Sequence, residues 1–190
     1  MLVTTIELIP YITMKDAVLL AAIKAIATHQ SKIVLMDTKL DVGKHWPYVG
    51  CDLDRFYDTL TGIGEKLGCI PNTVDYFNVV PTKKFLDIGC GTGLTLHIAR
   101  ALGFDAYGLE TDPATLKLLD ATHGRTKNVL VEDVLSFDKY GDFDVLFMYR
   151  PFRDEQAQRE LEILVMAGMK QHAILIPQHL INIKDPWVKP

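Results

Sequence analysis

The segment KFLDIGCGTGL, residues 84–94, constrains the fold more than any other part of this sequence, because an apolar run leads directly into three alternating glycines. KFLDI predicts a short buried strand, and the apolar residues that follow it recur at helical spacing up to Leu102. A strand that turns at once into a helix leaves unpaired backbone N–H groups at the positive end of the helix dipole. Gly89, Gly91 and Gly93 allow that turn and let a ligand approach the backbone without meeting a Cβ atom. We therefore predict a site for an anionic or hydrogen-bond-rich ligand at this loop.

From residue 84 onward, β-branched runs alternate with helical patterns, which is typical of a parallel sheet covered by helices. The predicted strands are residues 84–88, 106–110, 128–133, 143–149 and 173–177, and the predicted helices between them are 93–102, 113–123 and 154–169. The first 80 residues are less regular, apart from a predicted helix at 15–28. The predicted organisation is a mainly helical N-terminal extension, residues 1–80, packed on a doubly wound, mostly parallel α/β core, residues 81–190.

Composition narrows the functional classes. The formal net charge of −4 gives no general attraction to nucleic acid. The three cysteines show no CxxC spacing, which argues against a disulfide framework and against a zinc site, so no metal is predicted. The N-terminus lacks the basic region of a signal peptide, and the most apolar run, residues 17–27, is too short to span a bilayer. We expect a cytoplasmic protein with no membrane association.

The spacing of the glycines distinguishes two classes of cofactor. The dinucleotide fingerprint is G-x-G-x-x-G, and Leu94 stands where its third glycine belongs. The segment LDIGCGTGL closely resembles the first motif of the class I S-adenosylmethionine-dependent methyltransferases, and the resemblance extends over about residues 83–177. It implies a Rossmann-like core that binds S-adenosylmethionine. The residues that it places at the cofactor in this loop are Asp87, Gly89, Cys90, Gly91 and Gly93. Asp87 is expected either to accept hydrogen bonds from the loop or to bind a cationic group of the ligand.

Acidic residues after the next two strands extend the resemblance. The family places an acid at the end of its second strand to bind the ribose hydroxyls, and Glu110, followed by Thr111, occupies that position. An acid after the third strand often accepts from the adenine amino group. Asp133 matches it, and Val134 supplies the next backbone N–H. Taken singly, Glu110 could be a surface residue and Asp133 a turn cap.

The segment MYRPF, residues 148–152, departs from the family pattern. Many members that methylate amino nitrogens carry a polar residue, two prolines and an aromatic residue here, whereas Tyr149 and Arg150 fill the first two places of this chain. The departure disfavours nucleic-acid bases as acceptors. Tyr149 is predicted to line the sulfonium, since an aromatic face attracts a cation. Tyr149, Asp154 and His179 lie near strand ends, but none has a partner in the sequence, and no catalytic base is predicted.

The C-terminus is shorter than the family requires. The residues after Pro177, QHLINIKDPWVKP, cannot hold the helix and two antiparallel strands that complete the seven-strand family sheet. HLINI, residues 179–183, is predicted to form one strand. Either the sheet is shortened, or the N-terminal segment supplies the missing edge. An open fifth strand would be a surface for a homodimer.

The favoured function is a class I S-adenosylmethionine-dependent methyltransferase that acts on an unidentified small-molecule acceptor. One alternative is a non-catalytic S-adenosylmethionine-binding or partner-activating subunit, which the short C-terminus and the altered MYRPF segment favour. A second alternative is an NAD-dependent oxidoreductase on a similar sheet, which Leu94 opposes. Turnover to S-adenosylhomocysteine separates the enzyme from the binding subunit.

Overall fold

The computed structural model describes residues 20–28, 51–69, 82–122 and 128–190. Its strands are β1 (Lys84–Ile88), β2 (Asp105–Leu109), β3 (Val129–Leu130), β4 (Val145–Tyr149), β5 (Ile174–Gln178) and β6 (Trp187–Val188). Its helices are α1 (residues 20–28), α2 (Leu53–Leu67), α3 (Leu94–Ala101), α4 (Pro113–Thr122) and α5 (Glu155–Gly168). Most of the predicted elements after residue 84 therefore agree with the structure to within two residues at each end, the usual uncertainty of an element boundary.

The six strands form one sheet in the order β3-β2-β1-β4-β5-β6. The first five strands of the chain run parallel, and β6 pairs antiparallel with β5. The strand order changes direction between β1 and β4, and open α/β sheets bind their ligands at such a point, outside the carboxyl ends of the strands. The predicted doubly wound, mostly parallel sheet is confirmed, and the glycine loop lies at the ligand-binding edge.

Helices cover both faces of the sheet. Phe85, Phe147 and Ile176 pack on one face with residues of α2 and α3. On the other face, buried residues of β1, β4 and β5 pack with Leu161 and Val165 of α5. Because both faces are covered, the central strands are nearly continuous apolar runs rather than alternating ones. These apolar runs are the reason that the strands could be predicted from the sequence.

Helix α2 lies in the N-terminal region whose pattern was less regular. The Asp52 side chain accepts a hydrogen bond from the Arg55 N–H at 3.1 Å and caps the start, and Gly68, at φ 72°, ends the helix. Phe56 is fully buried, with its ring 4.7 Å from that of Phe147. The described part of the N-terminal region is therefore helical and packs on the sheet. A domain boundary between residues 80 and 81 stays a prediction, and residues 15–19 of the predicted first helix lie outside the described residues.

The predicted strand at residues 179–183 is wrong. Buried Glu162 of α5 accepts the N–H groups of Ile181 and Asn182, each at 2.8 Å, so these donors are not available to a sheet. The sixth strand instead lies farther on, where Trp187 pairs with Leu175 of β5. Strand β6 thus covers the beginning of the β5 edge that the sequence left open. No strand from the described N-terminal residues joins the sheet, and the homodimer stays a prediction.

The third strand is also shorter than predicted, because only Val129 and Leu130 of residues 128–133 pair with β2. The following residues are exposed, and the chain turns at Asp133. Among the described residues, no helix is long and apolar enough to cross a membrane.

Candidate cofactor and acceptor site

The glycine loop adopts a backbone that few other residues tolerate. Gly89, Gly91 and Gly93 have φ values of 80°, 55° and 75°, all in the left-handed region where a side chain costs about 1–2 kcal/mol. The Gly93 N–H donates to the Cys90 carbonyl at 2.9 Å, and α3 begins at the next residue. The loop therefore needs its glycines for conformation alone, and it delivers the chain directly into the helix N-terminus.

Glu110 joins the glycine loop to the turn after β2. One carboxylate oxygen, Oε2, accepts the Gly91 N–H at 3.0 Å, and the other, Oε1, accepts the N–H groups of Thr111 and Asp112 at 2.8 and 2.9 Å. Burial raises the pKa of Glu110, and these three backbone donors oppose the rise. A carboxylate has about four lone-pair positions, so roughly one is left for a ligand hydroxyl. A second ligand hydroxyl must share or replace the Gly91 N–H.

Asp87 braces the loop from beneath. It is 2% exposed and accepts a hydrogen bond from the Thr95 hydroxyl in the first turn of α3. Burial raises its pKa to about 7, the Thr95 bond opposes that rise, and the nearby charge of Glu110 adds to it. Asp87 thus accepts a hydrogen bond from α3 and not from the loop itself, and its contact with a cationic group of a ligand stays a prediction.

The packing of Cys90 shows how the loop approaches the sheet closely without the third glycine of the dinucleotide fingerprint, which Leu94 replaces. Its side chain is buried against Gly108 of β2, where an added Cβ would lie 2.6 Å from the Cys90 Sγ and 3.0 Å from the Leu96 Cδ1. The close approach of loop, helix and sheet is thus provided by a glycine in β2 rather than in the loop. Leu94 is itself buried in the core. The Cys90 side chain faces the core, so a contact of this residue with the cofactor would involve its backbone. That contact stays a prediction.

The residues predicted at the adenine lie in an exposed turn. The Asp133 carboxylate accepts the Leu135 N–H at 2.9 Å, which is the turn cap considered as its alternative role. Val134 is buried, and its carbonyl accepts the Tyr140 hydroxyl at 2.6 Å. Thr111 is exposed beside Glu110. Contacts of these residues with a cofactor stay predictions.

The carboxyl ends of β4 and β5 form a second part of the site, beside the glycine loop. Tyr149 ends β4 and pairs with Gln178, which ends β5. The Tyr149 ring meets the His179 imidazole edge-on, with centroids 5.4 Å apart. Burial raises the pKa of Tyr149, and a charge on nearby Cys51 adds to the rise, so the phenol stays protonated at neutral pH. Sequence reasoning missed Gln178 and Cys51. A polar residue at the end of an otherwise apolar strand was the available signal for Gln178.

Of the three residues considered as bases, Asp154 has a structural role. Its carboxylate accepts the Ala157 N–H at 2.8 Å and caps α5. His179 is exposed beside Tyr149. In the described ranges, no group of three or more His, Cys, Asp or Glu side chains is placed to hold a metal ion.

Comparison with known proteins adds a family match. Residues 86–160 match the family model described as a methyltransferase domain. No curated protein sequence matches the chain.

Several solved structures resemble it. An RNA methyltransferase from Salinibacter ruber, crystallised with S-adenosylhomocysteine, is 15% identical with a TM-score of 0.49, over 75% of this chain and 94% of that one. An S-adenosylmethionine-dependent methyltransferase from Clostridium acetobutylicum is 12% identical with a TM-score of 0.48, over 66% of this chain and 49% of that one. An amino pentose methyltransferase from Micromonospora echinaspora, with S-adenosylmethionine bound, is 20% identical with a TM-score of 0.44, over 72% and 62%. The chain thus spans about half to three fifths of the last two, and at these scores nothing about an acceptor follows.

Residues 86–160 match a methyltransferase domain, which agrees with the predicted class I S-adenosylmethionine-dependent methyltransferase. S-adenosylmethionine is the cofactor of that class, and the residues present fit it. Gly91 has no side chain to obstruct a ligand, and the Glu110 carboxylate stands 3.0 Å from the Gly91 N, within reach of a hydroxyl bound at the loop. The match opposes the NAD-dependent alternative.

Proposed function

We propose that the protein transfers a methyl group from S-adenosylmethionine to a small-molecule acceptor bound over the carboxyl ends of β4 and β5. The single observation that carries this proposal is the position of Glu110. Its carboxylate bridges the Gly91 amide and the turn after β2, with both oxygens at the ligand-binding edge. The position left on this carboxylate suits one ligand hydroxyl at the glycine loop, and a second hydroxyl of a ribose would share or replace the Gly91 N–H.

The order of the strands gives the cofactor a direction. Because Glu110 follows β2, it would hold the ribose hydroxyls near β1 and β2, and Asp133, after β3, would meet the adenine. Tyr149, at the end of β4, would provide an aromatic ring for the sulfonium. The acceptor site accordingly lies on the remaining side, at Tyr149, Gln178 and His179.

When bound, S-adenosylmethionine supplies a methyl carbon already activated by the sulfonium. An acceptor lone pair would replace the carbon–sulfur bond, whose electrons would go to sulfur, and the proton lost by the acceptor would pass to water. The residues of the chain contribute alignment, which can lower a barrier by about 7–11 kcal/mol. Asp154 is engaged as a helix cap and Tyr149 is held neutral, so neither acts as a base at neutral pH. Of the three residues considered as bases, His179 is left for an acceptor that must first lose a proton, whereas a neutral amine needs no base.

A small molecule is favoured over nucleic acid for two reasons. The net charge is −4, which opposes a phosphate backbone. The Glu110 carboxylate also lies at the ligand-binding edge and adds to the negative potential there.

The non-catalytic binding subunit remains the second candidate, because the MYRPF segment departs from the family pattern and the described sheet has six strands. Turnover decides between the two. Purified protein is incubated with S-adenosylmethionine and a panel of amines, phenols and carboxylic acids, and S-adenosylhomocysteine is measured. Formation above the acceptor-free control, abolished in Gly91→Leu, supports the enzyme. Cofactor binding with no product for any acceptor supports the subunit.

A further inference from the structure

Gln178 is a buried polar residue whose side-chain oxygen accepts no hydrogen bond within the described part of the chain. The residue is 5% exposed, and its Oε1 has no hydrogen-bond partner among the described residues. Most buried polar side-chain atoms in native proteins are paired, and leaving an acceptor unpaired in the interior is costly. An orphan oxygen of this kind at a ligand-binding edge suggests a partner that arrives with a ligand.

The position of Gln178 in the sheet places it at the acceptor side. Alternate residues of a strand share a face, so Gln178 lies on the face of Ile174 and Ile176. Ile176 packs in the same cluster as Phe147, which shares its face with Tyr149. Tyr149 and Gln178 are also direct neighbours in the β4–β5 register. The phenol ring and the orphan oxygen thus lie on one face, at adjacent strand ends.

The segment after Gln178 is fixed, so the oxygen is not easily satisfied by a local shift. Glu162 accepts the Ile181 and Asn182 N–H groups. His179, at φ 56°, holds a left-handed conformation that few non-glycine residues adopt. Both features hold the strand end in place around the orphan oxygen.

Gln158 shows how the same fold treats a buried glutamine that has a structural role. It is 0% exposed, its Oε1 accepts the Phe152 N–H at 3.2 Å, and its Nε2 donates to Glu162 Oε1 at 3.0 Å. The Gln158 amide is therefore used at both ends, on the opposite face of the sheet from Gln178. By contrast, the oxygen of Gln178 contributes no hydrogen bond to the described structure, which favours a role in ligand binding.

We propose that Gln178 determines acceptor specificity: its side-chain oxygen accepts a hydrogen bond from an N–H or O–H group of the acceptor, beside the Tyr149 ring. This inference rests on the proposed methyl transfer and narrows its substrate class. Amines, amides, phenols and N–H heterocycles fit the site. Ethers lack the donor, and carboxylates would set a negative charge against the oxygen.

The first test is thermal unfolding of Gln178→Met, which replaces the amide with an apolar side chain of similar size. We expect Tm to rise by about 2–4 °C in the absence of any ligand, because the orphan oxygen is removed. Gln158→Met, the matched control at a fully paired glutamine, should lower Tm by at least as much. An unchanged or lower Tm for Gln178→Met overturns the proposal.

The second test measures the binding of matched probes by ligand-observed NMR in the presence of S-adenosylhomocysteine. The pairs are phenol with anisole and indole with 1-methylindole, which differ in one donor. Wild type should favour the donor-bearing member by about fivefold, and Gln178→Met by less than twofold, as expected for one hydrogen bond. Equal affinities within both pairs in wild type, including no binding of either member, overturn the proposal.

The two proposals fail in different ways. Titration of wild type and of Gln178→Met with S-adenosylhomocysteine should give the same Kd. If neither protein binds S-adenosylhomocysteine, the proposed function fails, whereas the Tm comparison still tests Gln178. If only the variant loses binding, Gln178 serves the cofactor and its assignment to the acceptor is overturned.

Discussion

The two parts of the ligand-binding edge differ in whether backbone or side-chain groups form them. The part proposed for the cofactor, at β1 and β2, is mostly backbone: left-handed glycines, a helix start and one carboxylate that accepts three N–H groups. The part proposed for the acceptor, at β4 and β5, is made of the side chains of Tyr149, Gln178 and His179. A site made of backbone imposes glycine on particular positions, whereas a site made of side chains can be changed without altering the fold. We therefore expect the first part to be compatible with many acceptors and the second to select one class.

The largest effect should come from placing a side chain in the backbone-built part. Gly91→Leu puts a bulky side chain into the proposed cofactor loop at a left-handed position, φ 55°, and we expect S-adenosylhomocysteine binding to fall by more than about a hundredfold. Gly68→Leu is the matched control, since Gly68 has φ 72° but nothing within 4 Å of an added Cβ. Calorimetric titration of both variants separates strain from obstruction. Normal binding by Gly91→Leu would show that this loop is not the cofactor site.

Substitution of Asp87 tests whether burying its carboxyl group lowers the stability of the protein at neutral pH. Its pKa is raised from 3.8 to about 7 in the folded protein, so between these pH values the folded state keeps a proton that the unfolded state releases. Stability contributed by this group is present below about pH 4 and is lost as pH rises through 7. We expect the free energy of unfolding of wild type to fall relative to that of Asp87→Asn by up to about 4 kcal/mol over this range.

Urea unfolding at a series of pH values from 4 to 8 checks this. Asp138→Asn, at an exposed aspartate, is the control and should follow wild type. Parallel curves for wild type and Asp87→Asn would mean that Asp87 is ionised in the folded protein throughout.

Glu110→Ala should weaken cofactor binding by at least about tenfold, because a charged hydrogen bond contributes about 1.5–3 kcal/mol. The measurement is the Kd for S-adenosylhomocysteine. Glu65→Ala removes one exposed carboxylate from α2 and should leave that Kd unchanged. An unaltered Kd in folded Glu110→Ala would limit this residue to bracing the loop.

The smallest effects compare a glycine in a closely packed position with a glycine next to open space. Gly108→Ala sets a Cβ 2.6 Å from the Cys90 Sγ and should destabilise the protein by about 1–3 kcal/mol. Gly62→Ala, within α2 with nothing within 4 Å, should stabilise it by about 0.4–1 kcal/mol. Chemical unfolding measures both. A neutral Gly108→Ala would remove the packing account of why Leu94 replaces a glycine.

The contrast between the two parts also explains what the sequence could predict. The glycine loop, the strands and the position of Glu110 were legible because backbone conformation and burial on both faces restrict residue type directly. The hydrogen bonds of Glu110, the cap at Asp154 and the pairing of Glu162 with residues 181–182 were not, since they join residues that are distant or locally ambiguous in the chain. The strand predicted at 179–183 failed for the same reason, because a buried glutamate in α5 holds its N–H groups. Gln178 could be recognised as unpaired only after the sheet was formed.

The central claim, that the glycine loop with Glu110 is an S-adenosylmethionine site, is tested most directly by thermal unfolding with separate additions of S-adenosylmethionine, S-adenosylhomocysteine, NAD and NADP. At about 100 times its Kd, a ligand adds about 2.7 kcal/mol of stability, which raises Tm by several degrees. We predict a rise with the two sulfur compounds only, and no rise with them in Gly91→Leu. A rise with NAD or NADP alone, or none with any of the four, would contradict the account.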